Sequence, residues 1–257
     1  MADQSEARPP AVLTEVGGRV LLITLNRPAA MNAIDTDLAQ GLLAAVDQLD
    51  GDDALTAGVL TGAGKGFCAG MDLKAFAAGG LPKGFDRFIR HGARKPLIAA
   101  VEGFALAGGL EVALACDLIV AAAGARLGIP EVSVGLFAAG GALGRLPRRV
   151  PYGVAMEMAL TAEPITAEQA HGYGLVTRLA ATGQAVTVAR ELAERIARNA
   201  PLAVAASKQV LRDVAGLTEA EFWDHQAPLI REVFASEDAK EGPRAFAEKR
   251  PPAWSGR

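Results

Sequence analysis

Two glutamates stand twenty residues apart, each in an apolar, glycine-rich stretch. Glu111 lies in GFALAGGLEVALACD (residues 103–117) and Glu131 in LGIPEVSVG (residues 127–135). Carboxylates are seldom buried without a partner or a purpose, because stripping water from the charged form is costly. No lysine lies between residues 96 and 207, and the nearest arginine is Arg126. Two carboxylates in such surroundings can hold raised pKa values. Acid–base chemistry on a neutral substrate needs that property.

The elements that must position this pair read as alternating strands and helices. Val20–Leu25 is a β-branched apolar run between Gly17-Gly18 and Asn26-Arg27-Pro28, which predicts a strand. Residues 35–49 carry Leu38, Leu42, Val46 and Leu49 at helical spacing, with Asp35 or Thr36 as cap and Gly51 as stop. Residues 56–61, 97–101 and 118–122 read as further strands, and 108–115 as a helix. This order indicates an α/β fold. Thr166-Ala-Glu-Gln169 is a capping box that opens a short helix ending near Gly172. Residues 174–179 read as one more strand. From about residue 183 only helical signals remain: Val188, Leu192 and Ile196, a restart at Pro201 running to Leu211, and a second capping box at Thr218–Glu221. The division expected is a flexible tail at 1–10, a core domain at 11–199 and a helical region at 200–257.

Composition narrows the function. The 257 residues are 51% apolar, enough for a sizeable core, and the formal net charge of −3 argues against a nucleic-acid binder. Cys68 and Cys116 have no metal-like spacing, and a reduced, cytoplasmic protein is expected. The N-terminal residues lack an apolar signal core, and Glu102, Glu111 and Asp117 interrupt the most apolar region, so no membrane span is expected.

Rival motifs fail on inspection. TGAGKG at 61–66 has the glycines and lysine of a phosphate loop, but Val59 and Gly66 stand where Gly and Ser or Thr are required. Ser133 is not in a nucleophile elbow, since position 131 is Glu. His91, His171 and His225 are scattered singly, so neither a hydrolytic triad nor a zinc site is supported. Each histidine reads as a surface or capping residue.

GFCAGMDLK at 66–74, taken with the Glu111 and Glu131 segments, resembles the crotonase superfamily of enoyl-CoA hydratases and isomerases. The resemblance runs from Val20 to Arg250. It implies a spiral of ββα units with a C-terminal helical trimerisation region, and a homotrimer or dimer of trimers. The implied substrate is an acyl-CoA thioester, with no separate cofactor and no metal. Met71 and Gly108 match the positions whose backbone amides form an oxyanion hole. Glu111 matches the base that acts on water, and Glu131 the acid that protonates the α-carbon. Residues implied to lie along the CoA ester are Arg27, Ala33, Ala69, Asp72, Leu73 and Lys74, with Phe246 and Lys249 reaching the CoA of a neighbouring subunit. Glu102 and Asp117 are expected to be structural. The cluster Arg145, Arg148 and Arg149 reads as a helix-end or interface feature.

The loop after Glu131 departs from the usual pattern. Ala138 replaces a proline, and the glycine pair falls at Gly140-Gly141. This loop shapes the acyl pocket in the family, as does the segment 81–95, which is short and contains arginine here. The expected activity is hydration of short or medium 2-enoyl-CoAs. The alternatives are an enoyl-CoA isomerase, a dehydratase of the carnitinyl-CoA type, whose acyl group is cationic, and a non-catalytic acyl-CoA-binding subunit.

Overall fold

The segment Leu97–Val101 is apolar at all five positions because the strand it forms is buried on both faces. Leu97, Ala99 and Val101 enter one hydrophobic cluster, while Ile98 and Ala100 enter a second. A computed structural model describes residues 9–79 and 84–257. Most of the expected tail, and residues 81–83 of the segment 81–95, lie outside the described residues.

The strands are β1 (Val12–Gly17), β2 (Val20–Leu25), β3 (Ala57–Gly62), β4 (Leu97–Val101), β5 (Phe104–Leu106), β6 (Leu118–Ala122), β7 (Arg126–Gly128), β8 (Ile165–Thr166) and β9 (Arg178–Ala180). The helices are α1 (Thr36–Gly51), α2 (Leu73–Gly79), α3 (Phe85–His91), α4 (Gly108–Ala115), α5 (Ala142–Arg145), α6 (Tyr152–Thr161), α7 (Ala167–Gly172), α8 (Ala185–Ala197), α9 (Pro201–Asp213), α10 (Glu219–Ala235) and α11 (Glu237–Ala247).

One sheet has the order β1-β2-β3-β4-β6-β9, parallel throughout except for the β1–β2 hairpin. A second has the order β5-β7-β8. Successive units contribute one strand to each: β4 and then β5, β6 and then β7. This is the spiral of ββα units of the crotonase fold. On one face of the large sheet, α8 buries Ala185, Ala189 and Ala193, small enough to bring helix and sheet close. The other face holds the larger cluster, which includes α1 and α4.

Local signals are realised where chemistry is local. Asp35 caps α1 by accepting from the Leu38 amide (2.9 Å), and both capping boxes form, at Thr166 and Thr218. Glu102 accepts from the Gly183 and Ala185 amides at the start of α8, and Asp117 accepts from the Leu97 amide and Lys208. Both acids are structural, as expected. The strand expected at 174–179 is displaced to β9, because the Leu175 and Val176 amides close the end of α7 on the Ala170 carbonyl. Strands β1, β5, β7 and β8 carry no strand signal of their own strength. Each is a strand through its pairing partner.

Candidate active site

The segment 68–72 runs between two neighbours and is held from both sides. The Leu106 amide donates to the Cys68 carbonyl (3.0 Å), the Ile34 amide to the Gly70 carbonyl (2.7 Å), and the Asp72 amide to the Ile34 carbonyl (2.9 Å). Gly70 has φ +106°, and a Cβ there would meet the Ala107 Cβ at 2.7 Å and the Gly108 nitrogen at 3.2 Å. Only glycine allows this approach. Ala107 itself has φ 50° and ψ −130°, a strained conformation for alanine, immediately before α4 begins at Gly108. The turn therefore sets the first amides of α4 beside Met71: the Met71 nitrogen is 3.5 Å from where a Gly108 Cβ would lie. Neither the Met71 nor the Gly108 amide donates to an acceptor among the described residues. Two neighbouring unclaimed N–H groups, one at a helix N-terminus, suit a developing negative charge.

Glu111 lies one turn into α4 and is 6% exposed. Its Oε1 accepts from the Ala142 amide (3.2 Å). A Cβ at Gly140 would lie 2.4 Å from Glu111 Oε2, so the carboxylate packs directly against the Gly140 backbone. Burial pushes the Glu111 carboxyl up to about 7. The Ala142 and Gly140 amides and Arg145 oppose that rise, while Glu131 adds to it. Glu131 follows Pro130 in a 3-10 turn after β7, and burial raises its pKa as well. Its Oε2 is buried with no hydrogen-bond partner among the described residues. A buried oxygen in that state is costly unless it is protonated or meets a ligand.

Both carboxylates and both amides border one cavity of about 860 Å³. Leu73, Phe85, Ile89, Val134, Leu136 and Phe137 make most of its wall apolar, and Ala69 and Met71 also line it. The other candidate residues fall elsewhere. Arg27 forms ion pairs with Asp35 (3.0 Å) and Asp72 (3.1 Å) and donates to the Ala33 carbonyl. Its charge is met within the chain, where it braces the turn that carries Ala33 against Asp72. Asp72, the partner of that brace, is held below the usual carboxylate range by the Ala75 amide and Arg27. Lys74 is exposed at the start of α2. Phe246 and Lys249, at and just beyond the end of α11, are not on the cavity wall, and Phe246 is 87% exposed.

Two arginines do line it: Arg90 from α3 and Arg145 from α5. Arg145 does stand in the last turn of a helix, but the sequence reading missed its place beside Glu111. Its closeness in sequence to Gly140-Gly141 was the available signal.

Such a spiral, carrying two carboxylates and two unclaimed amides around an apolar cavity, is the architecture of the crotonase class of enzymes. The family model described as enoyl-CoA hydratase/isomerase matches residues 15–257. The chain is 43% identical to the enoyl-CoA hydratase EchA19 of Mycobacterium tuberculosis, covering 96% of this chain and 97% of that protein. It is 39% identical to the carnitinyl-CoA dehydratase of Proteus mirabilis, covering 93% and 96% respectively. A crystal structure of a probable enoyl-CoA hydratase/isomerase from Mycobacterium abscessus superposes with a TM-score of 0.93 at 53% identity, covering 97% of this chain and all of that one. The chain belongs to the enoyl-CoA hydratase/isomerase family and is an enzyme of it.

Proposed function

We propose that the enzyme adds water reversibly across the double bond of a 2-enoyl-CoA thioester. The observation that carries this is the pair of carboxylates with raised pKa values, Glu111 and Glu131, on one cavity with the unclaimed amides of Met71 and Gly108. The thioester oxygen accepts from those two amides, and each such donor is worth about 2.7–4 kcal/mol as charge develops there. Glu111 takes a proton from water while the water oxygen bonds to the β-carbon. Electrons move onto the thioester oxygen, and Glu131 returns a proton to the α-carbon. The competent pair thus holds one proton, and it is regained by transfer from Glu111 to Glu131 after each turnover. The CoA thioester is the substrate, and no separate cofactor or metal enters these steps.

An uncharged, apolar acyl group fits the wall. Asp86 and Arg90 face each other at 3.8 Å, while the positive charge of Arg145 on the same wall forms no ion pair with a carboxylate among the described residues. A cationic acyl group of the carnitinyl-CoA type would meet that charge. Each further methylene buried contributes about 0.8 kcal/mol, so kcat/KM is expected to rise up to about fourfold per carbon above crotonyl-CoA until the cavity fills. Loss of the conjugated-thioester absorbance, with products identified by mass, checks this over straight-chain, aromatic and crotonobetainyl enoyl-CoAs. Turnover of crotonobetainyl-CoA above all others would replace this reading with the dehydratase. A shift of the double bond without uptake of water would replace it with the isomerase.

The pH dependence follows from the same pair. Glu111 must be ionised and Glu131 protonated, so kcat/KM against pH is expected to be bell-shaped. Activity should fall on the acid side as Glu111 is protonated through about pH 7, well above the range of an exposed glutamate. A profile flat down to pH 5 would rule out these roles.

The homotrimer, or dimer of trimers, belongs to the same proposal, with Phe246 and Lys249 meeting the CoA of the neighbouring subunit. Exposed apolar side chains on the C-terminal helices, Leu211, Trp223, Phe234 and Phe246, support it. No described helix is long and apolar enough to cross a membrane.

A further inference from the structure

Resting on the base role given to Glu111, we propose that Arg145 is a positioning residue for Glu111 that helps keep its carboxylate ionised. It does so by clamping the Gly140-Gly141 turn to the end of α3 and by placing its charge on the Glu111 side of the cavity.

The geometry is a three-layer stack. Arg145 Nη1 donates to the Gly140 carbonyl (3.4 Å), while Nη2 donates to the carbonyls of Ile89 and Arg90 (3.4 Å to Arg90) at the end of α3. Gly141 has φ +98°, and a Cβ there would lie 2.6 Å from Arg145 Nη1. On the other side of the same turn, a Gly140 Cβ would lie 2.4 Å from Glu111 Oε2. The two glycines therefore separate guanidinium from carboxylate by one layer of backbone. The same stretch supplies the Ala142 amide that Glu111 accepts from. Arg145 donates only to carbonyls and forms no ion pair with a carboxylate among the described residues, so its charge is not neutralised by contact. Arginine stays protonated even half-buried.

The clamp has a chemical consequence. Glu111 is the more buried carboxylate, and burial by itself would place the shared proton there. The Ala142 and Gly140 amides and Arg145 oppose burial and favour its anion, without cancelling the rise. The other charges on this wall are Glu131 and the Asp86–Arg90 pair of α3. Arg149, Arg212 and Cys116 also act on Arg145. Among the described cations, Arg145 is the one that acts on Glu111, from behind the glycine turn.

The test compares Arg145→Gln and Arg145→Lys with the wild-type enzyme. The Glu111 carboxyl is titrated by 13C NMR, with its signal identified by its loss in Glu111→Gln, and kcat/KM is followed from pH 5 to 9.5. With glutamine the Glu111 midpoint and the acid limb are both expected to rise by about one pH unit, the low end for a nearby charge. Activity at pH 7 then falls about fivefold and recovers at pH 9. Lysine keeps the charge but cannot span both sets of carbonyls, so its midpoint should stay near that of wild type while kcat drops. A lower Tm or higher KM with midpoint and limb unmoved would overturn the proposal, leaving Arg145 a structural clamp. If Arg145→Gln does not fold, Arg145→Met carries the same expectation. The titration needs no turnover. A shifted midpoint in a chain that hydrates nothing would therefore keep the electrostatic link and remove the catalytic one.

Discussion

Replacing Glu111 by glutamine is expected to lower kcat/KM for hydration by about 10²–10⁴-fold while making the protein more stable above neutral pH. The first effect follows from losing the group proposed to take the proton from water. The second follows from burial. In the folded chain the Glu111 carboxyl is pushed from the usual 4.5 up to about 7. The folded state therefore binds a proton more tightly than the unfolded state between those values, and stability falls as pH rises through that window. At about 1.4 kcal/mol per pH unit, the ionised carboxylate costs up to about 3 kcal/mol above pH 7. The cost is absent below pH 4.5. Glutamine carries no charge to desolvate, so its Tm should exceed that of wild type at pH 8 and match it near pH 4.5. Steady-state kinetics and thermal melts at the two pH values check both parts. Equal activity, or a stability difference independent of pH, would contradict the assignment of Glu111 as a buried, ionisable base.

Gly109→Ala is expected to cost both fold and activity. A Cβ at Gly109 would lie 2.2 Å from the Cys68 carbonyl oxygen and 2.7 Å from its carbon, and both of those atoms are backbone. No rotamer change relieves that contact, so either α4 or the segment 68–72 must move. Overpacking of this kind costs about 1–3 kcal/mol, seen as a lower Tm. The same displacement parts the Gly108 amide from the Met71 amide, and one misplaced donor of the proposed oxyanion hole is expected to lower kcat by about 10²–10³-fold. Gly140 differs instructively: its close neighbour is the end of the Glu111 side chain, which can swing away. A Gly109→Ala protein with wild-type Tm and kcat would show that the approach of the two segments is not what aligns the amides.

These two glycines show where sequence reading reaches and where it stops. A glycine-rich run before a lone glutamate was visible in the chain, and it led to Gly108 and Glu111 through resemblance to a family. That Gly109 rests on Cys68, and Gly140 on Glu111, depends on contacts between residues 41 and 29 positions apart, which no local pattern encodes. Arg27 shows the converse. The resemblance implied a place for it along the CoA ester, yet Asp35 and Asp72 claim it from 8 and 45 positions away. Arg145 read as the cation of a helix end, and the fold also places it behind the turn that packs against Glu111.

The sequence alone determined the helix caps, the buried parallel strands and the presence of two carboxylates in apolar surroundings. Those features depend on a residue and its near neighbours, through hydrogen bonds to adjacent amides and through runs of side chains too apolar for solvent. Tertiary structure decided which amides stay unclaimed, which cations are spent inside the chain, and how strongly each carboxylate resists ionisation. Desolvation and Coulomb interaction depend on what is packed within a few ångströms in space, and in this fold that neighbourhood is assembled from segments far apart in the chain.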